Sequence, residues 1–320
     1  MGISPAVEID GQYRQLREEC GLLDRSERGK LLVSGGEAAE YLQGQLTNDV
    51  EAIEPGDGLY AALLDRKGHM QGDMRVLRPG EGADLLLDTE PEALEAVRRH
   101  LAMYKIGREV DVVDLSAERA ILSLIGPRAV EIAGSAALPE NACEEVTIAG
   151  TPVLAAGTAD GIDLIFDAEA RDRVAEALLA GGAAEVSPEA AEILRIETGR
   201  PRFGAEMGTA TMPAEAGIVE QAVSFTKGCY IGQETVARLH YKGKPNRHLR
   251  GLKLSGAGGA QPGAAIQLGE KEVGKLGSGA VSPAFGPIGM AILRREAEPG
   301  STVAVGEDGV TAEVVALPFG

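Results

Sequence analysis

No tryptophan occurs in the 320 residues, and the chain has only five phenylalanines and six tyrosines. Aliphatic side chains must therefore fill the core, and a flat ligand in search of a stacking partner finds few. The three cysteines, Cys20, Cys143 and Cys229, show no C-x-x-C spacing. That argues against a disulfide framework and fits a reducing compartment. The four histidines (His69, His100, His240, His248) are scattered, with no H-E-x-x-H, so local sequence builds no metal site. A phosphate loop of the form G-x-x-x-x-G-K-S/T is absent, as is a G-x-S-x-G elbow, which weakens nucleotide-hydrolysis and serine-hydrolase readings. No run approaches 18 apolar residues, so no membrane-spanning segment is expected. The first ten residues have neither a basic start nor an apolar run, and a cytoplasmic location is the simplest expectation.

Acidic and basic residues are unevenly spread. The net charge is −18, which opposes general binding to nucleic acid or anionic membranes. Yet from Thr235 to Gly269 there is no Asp or Glu at all, while Arg238, Lys242, Lys244, Arg247, Arg250 and Lys253 fall in that span. A Gly/Ala-rich β region explains the second half of this gap. It explains Arg238 to Arg250 poorly, and a binding module for RNA or a partner protein is one reading of that segment.

Hydrophobic periodicity places helices over 7–20, Gly36–Leu46, Glu92–Tyr104, 168–179 and from Pro188 to near Gly199. Ser187 is a good cap and Pro188 a good first residue for the last of these. Strands are expected at Gly29–Ser34, Leu59–Leu64, Asp73–Leu77, Ala83–Leu87, Val110–Val113, Arg119–Ile125, Val153–Ala156 and Ile162–Phe166. Residues 200–225 read as ordered loop. Beyond Pro245 short strands recur about every ten residues, punctuated by Gly and Pro, which argues for a separate all-β barrel or sandwich.

The chemistry-bearing stretch is Lys227-Gly-Cys-Tyr-Ile-Gly-Gln-Glu234. It sets the Cys229 thiol beside a lysine and just ahead of a probable helix start, and both features favour thiolate. A buried, inert Cys is the competing reading. Glu197, at a helix end before Gly199, is a candidate anchor for a ring edge with adjacent N–H donors, because a carboxylate accepts two parallel hydrogen bonds. A surface Glu paired with Arg195 is the alternative. Asp73, following Gly72 at a strand start, is a candidate general base or simply a turn residue.

KGCYIGQE, followed by a helix and a basic segment, resembles the signature of the YgfZ-type folate-binding proteins, relatives of the aminomethyltransferase (T-protein) of the glycine cleavage system. The passages 31–35, 41–49, 60–68, 125–127 and 194–204 support the resemblance in the expected order. It implies an α+β fold: a three-lobed ring of two interleaved α+β domains plus a C-terminal β-barrel. The first domain would take 1–48 and 117–205, the second, ferredoxin-like, 49–116 and 206–245, and the barrel 246–320. It implies tetrahydrofolate or a derivative as cofactor, with Glu197 anchoring the pterin. Lys227 and Arg238 are candidates for its glutamate tail. Without tryptophan, ring contacts fall to side chains such as Tyr60 and Tyr230, and Arg195 is a further candidate neighbour. The expected function is assistance to iron–sulfur cluster assembly or repair, with Cys229 as working thiol and iron–sulfur enzymes or assembly proteins as partners of a monomer. The alternative is a folate-dependent aminomethyltransferase or demethylase with Asp73 as catalytic acid. T-proteins carry an adjacent acid pair where this chain has Gly72-Asp73, so one acid is kept and one lost.

Overall fold

The computed structural model describes residues 5–256, 260–307 and 309–320. Part of the Gly/Ala-rich stretch 255–265, residues 257–259, thus lies outside the described residues. Three sheets carry the fold. The first has six strands, in the spatial order Ala184–Glu185, Gly21–Asp24, Arg119–Ile125, Gly161–Asp167, Thr151–Thr158, Cys143–Ile148. The second has five, all antiparallel: Asp57–Leu64, Met70–Arg78, Leu85–Thr89, Gly29–Ser34, Asp111–Asp114. The third takes the C-terminal strands, Lys271–Lys275, Ala265–Leu268, Thr302–Val305, Val310–Val315, Arg247–Leu254, Gly286–Arg294 and Ser278–Ser282. It curls so far that a Cβ on Gly274 would come within 2.7 Å of the Ile292 carbonyl. The expected α+β architecture with a C-terminal barrel-like lobe is what the chain adopts.

The lobe boundaries differ from expectation. Strand Gly29–Ser34 pairs with Leu85–Thr89 and Asp111–Asp114, and Leu31 and Val33 are buried with Tyr41 and Leu42 of helix Ala38–Gln45 in the core of the second sheet. Residues 29–48 therefore belong with the second lobe, not the first. A six-residue apolar strand carries no mark of which sheet it joins; pairing decides it. The first helix, expected to reach residue 20, stops at Glu18, and a strand not expected from the sequence, Gly21–Asp24, follows it. The stretch read as loop over 200–225 holds two one-turn helices, Pro213–Ala216 and Val219–Ala222. Among the short strands beyond Pro245, Lys271–Lys275 and Ser278–Ser282 are separated by a break at Gly277, where a Cβ would meet the Glu206 side chain at 2.8 Å.

Strand alternation sets the rest. In Met70–Arg78 the even positions Met70, Met74 and Val76 join the core under the helices. Gly72 shares that face: a Cβ there would lie 2.8 Å from Val97 and 2.9 Å from Ala93 of helix Pro91–Tyr104. No side chain fits, which is the physical reason this position carries no second acid. The odd positions Asp73, Arg75 and Leu77 face the opposite way. There Leu77 and Leu86 pack on Ile121, Cys143, Ala156 and Ile165 of the six-stranded sheet. The two sheets thus meet face to face across a small apolar patch, and polar side chains fill the remainder of the seam.

The seam is held by charge. Asp88, fully buried, is bracketed by Arg28 at 2.5 Å and by Arg75. Arg75 reaches across to Asp163 of the six-stranded sheet at 2.7 Å, and the Ser123 hydroxyl donates to the same carboxylate at 2.5 Å. Burial alone would raise the Asp88 carboxyl, but Arg28 and Arg75 hold it well below the usual carboxylate range. Removing one member of a buried pair strands the other. Asp88→Ala is therefore expected to cost about 3–5 kcal/mol in urea unfolding; a loss under about 1 kcal/mol would show that the seam does not depend on this charge.

Candidate active site

Asp73 stands at the open end of the charged seam. Its register partner on the neighbouring strand is Ala62, and Tyr60, two residues away on that strand, lies diagonal to it on the same face. The Tyr60 hydroxyl donates to Asp73 Oδ2 at 2.6 Å. Oδ1 is buried and has no protein partner among the described residues. Burial raises the Asp73 carboxyl to about 6; the Tyr60 bond opposes this, Glu90 adds to it, and Arg28 opposes it. Burial, then the Asp73 charge, drives the Tyr60 phenol well above its ordinary value, so it remains a donor. Glu90 is itself tied to Arg28 and Arg25. An oriented, buried carboxyl with a free oxygen and a mid-range titration is the kind of group that moves protons.

Glu197 forms a second polar centre. It ends helix Pro188–Glu197, whose start is capped as expected, the Ser187 hydroxyl accepting from the Ala190 N–H. The carboxylate is buried and accepts from the Tyr13 hydroxyl at 3.0 Å and the Ser282 hydroxyl at 2.5 Å. Arg17 stands 3.8 Å away. Burial, then the carboxylate itself, raises the Tyr13 phenol. Tyr13 and Ser282 come from the first helix and the barrel, 184 and 85 positions distant. Sequence reasoning missed both, and no local pattern marks either. An ionised carboxylate offers about four lone-pair directions, so two hydroxyl donors leave room for two more. Arg200, three residues on, pairs with Glu140 and lies within electrostatic reach of Tyr60.

Two expected ligand contacts, Lys227 and Arg195, are spent elsewhere. The Lys227 ammonium donates to the carbonyls of Gln43, Leu46 and Asn48 at 2.6, 2.7 and 2.9 Å. All three donors are used, capping the C-terminal end of helix Ala38–Gln45. Burial lowers this amine to about 8, with Asp49 and Glu51 pulling the other way. Lys227 is thus a bolt between the KGCYIGQE segment and the second lobe, not a holder of a ligand tail. It is also not turned toward the Cys229 thiol. Arg195 is likewise committed, to Glu192, Glu206, the Ser278 hydroxyl and the Arg200 carbonyl. Tyr230 is buried 5.1 Å from the Lys227 ammonium, its hydroxyl unpartnered. Cys229 is exposed, against the competing reading of a buried, inert thiol. It precedes helix Gln233–Lys242, whose cap, Gly232, takes the left-handed φ of 87°. Arg238 lines a separate cleft of about 220 Å3. A larger cleft, about 950 Å3, runs between residues 204–215 and the barrel and involves neither Asp73 nor Glu197. Among the described residues no three His, Cys, Asp or Glu side chains stand where they could share a metal ion, and no helix is long and apolar enough to cross a membrane.

Residues 6–227 match the family described as GCVT N-terminal domain, and residues 247–319 that described as glycine cleavage T-protein C-terminal barrel domain. The chain belongs to the glycine cleavage T-protein family. It is 30% identical to an aminomethyltransferase of Rubrobacter xylanophilus over 97% of this chain and 86% of the relative. To an aminomethyltransferase of Listeria welshimeri it is 30% identical over 97% and 89%. Its fold matches that of glycine cleavage system aminomethyltransferase T from Bartonella henselae with a TM-score of 0.86 at 23% identity, over 98% and 89% of the two chains. At that identity the structural match speaks for the fold alone.

The Asp73 carboxyl has a measurable cost in stability. Its folded titration near 6 lies above its ordinary 3.8. The folded state therefore binds the extra proton between those values, and stability contributed by this group falls as pH rises from about 4 to about 6. Asp73→Asn, which keeps an acceptor for Tyr60, is expected to match the wild type near pH 4 and exceed it at pH 7.5 by up to about 3 kcal/mol. Chemical denaturation of both proteins across that range checks it. A stability gap that does not change with pH would contradict it.

Proposed function

We propose that the protein is a reduced-folate-dependent one-carbon transfer protein of the aminomethyltransferase type, with Asp73 as its proton-transferring group and Glu197 as the pterin anchor. The observation that carries the reading is the free, buried Oδ1 of Asp73, beside a Tyr60 bond that fixes the other oxygen. The full-length similarity to proteins named aminomethyltransferases supports it. The residues fit such a ligand: Glu197 retains acceptor capacity for two adjacent N–H donors, and Asp73 offers an unshared oxygen in a water-poor seam. Bound tetrahydrofolate supplies nitrogen nucleophiles that take up the one-carbon unit. Asp73, protonated at Oδ1, supplies a proton to a departing amine, and its carboxylate recovers one from a nitrogen that has formed its new bond. Tyr60 keeps the carboxyl oriented through both.

A second reading is favoured by one observation, the exposed thiol of Cys229 inside KGCYIGQE. On it the protein is YgfZ-like, binds folate in the same place, and uses the thiol to assist iron–sulfur enzymes. One comparison separates the two. With an aminomethyl donor and tetrahydrofolate, Asp73→Asn is expected to lower methylenetetrahydrofolate formation at least about 100-fold while calorimetric folate binding persists. Glu197→Gln is expected to weaken binding, and Cys229→Ala to leave turnover unchanged. Folate binding without turnover in the wild type, together with loss of iron–sulfur enzyme activity in a Cys229→Ala strain, would favour the second reading. Absence of saturable folate binding would sink both.

A further inference from the structure

Helix Gln233–Lys242 presents a face that the folate reading does not use. At about 100° per residue, Arg238, Tyr241 and Lys242 share its outer side. Tyr241 is 67% exposed, the most exposed aromatic ring among the large apolar side chains at the surface. It is not isolated. Phe225 stacks on His240 with centroids 3.9 Å apart, and both rings meet Tyr241 edge-on at 5.9 and 4.8 Å. Alongside this face the 220 Å3 cleft is lined by Arg238, Lys244, Thr235 and Asn246. The acid in that cleft, Glu215, is already taken by Arg247. Among the described residues no ion pair engages Arg238, Lys242 or Lys244, all of which are exposed.

A chain of net charge −18 thus keeps one surface with three unpaired cations, a supported aromatic platform and no acid for the 35 residues after Glu234. Cations in a last helical turn also offset the helix dipole, which accounts for His240 and Lys242. It does not account for Tyr241 in solvent, propped by two further rings, nor for Arg238 and Lys244 lining a cleft. An acidic peptide would use the cations but leave the aromatic platform idle. Bases stacked on exposed rings beside cations spaced along a groove are how single strands are held without sequence preference.

We propose that this face binds single-stranded RNA, with a base stacked on Tyr241 and backbone phosphates on Arg238, Lys242 and Lys244. The site is separate from Asp73 and Glu197, so its fate is independent of the folate reading. The test is fluorescence anisotropy with a labelled 12-nucleotide RNA of mixed sequence. Saturable binding is expected with a Kd of roughly 1–100 µM near 0.1 M salt, and three phosphate contacts give a log–log salt slope of about −2. Tyr241→Ala is expected to weaken binding about tenfold, and Lys242→Glu or Arg238→Glu to weaken it and flatten the slope. Lys271→Gln, on the barrel, is expected to change nothing. Tyr241 and Lys242 project into solvent, so circular dichroism should confirm intact folds. No saturation by RNA, equal affinity in the Tyr241→Ala and Lys242→Glu variants, equal affinity for duplex RNA, or an oligoglutamate peptide binding as tightly as RNA would each overturn the proposal.

Discussion

Asp88 lies between the guanidinium groups of Arg28 and Arg75, out of contact with water, and Arg75 continues across the seam to Asp163 of the facing sheet. Few side chains join the two sheets by apolar contact, so orientation of one lobe against the other falls to this chain of charges. Each member needs its partners, because an ion taken out of water is stable only when paired and hydrogen-bonded. Such an arrangement fixes geometry more than it adds net stability. What it fixes is the position of the strand face that carries Asp73.

The same surroundings explain why Asp73 differs from Asp88. Both are buried carboxylates in the five-stranded sheet, two strands that are hydrogen-bonded neighbours. Asp88 has two guanidinium partners and stays ionised. Asp73 has one phenol and a nearby acid, Glu90, which Arg28 already serves, and its carboxyl rises to about 6. Two carboxylates with opposed environments take opposed roles, one structural and one available for proton transfer. The seam therefore supplies rigidity and, on the proposed function, the proton-transferring group, at some cost in stability at neutral pH.

Much of this was legible in the sequence. Ser187-Pro188 announces a helix and its cap, and the strands expected at Asp73–Leu77 and Ala83–Leu87 are neighbours in one sheet. What stayed hidden depended on pairing and direction. Strand Gly29–Ser34 gave no sign that it crosses to the second sheet. Lys227 beside Cys229 in sequence suggested a cation for a thiol or a ligand, but its side chain turns inward to three carbonyls. Arg195, two residues before Glu197, suggested partnership, yet about 200° of helix rotation separates them, and Arg195 turns to Glu192 and Glu206. Tyr13 and Ser282, which complete the Glu197 centre, arrive from opposite ends of the chain. The absence of a second acid at Gly72 looked like a lost catalytic group, and packing against Ala93 and Val97 explains it without reference to chemistry.

Burial raises the Asp73 carboxyl to about 6, while Arg28 and Arg75 keep its neighbour Asp88 ionised. Carbon-13 NMR of side-chain carboxyls, assigned through Asp73→Asn, measures this directly. The Asp73 resonance is expected to titrate near 6. Titration at the ordinary aspartate value of about 3.9 would contradict it.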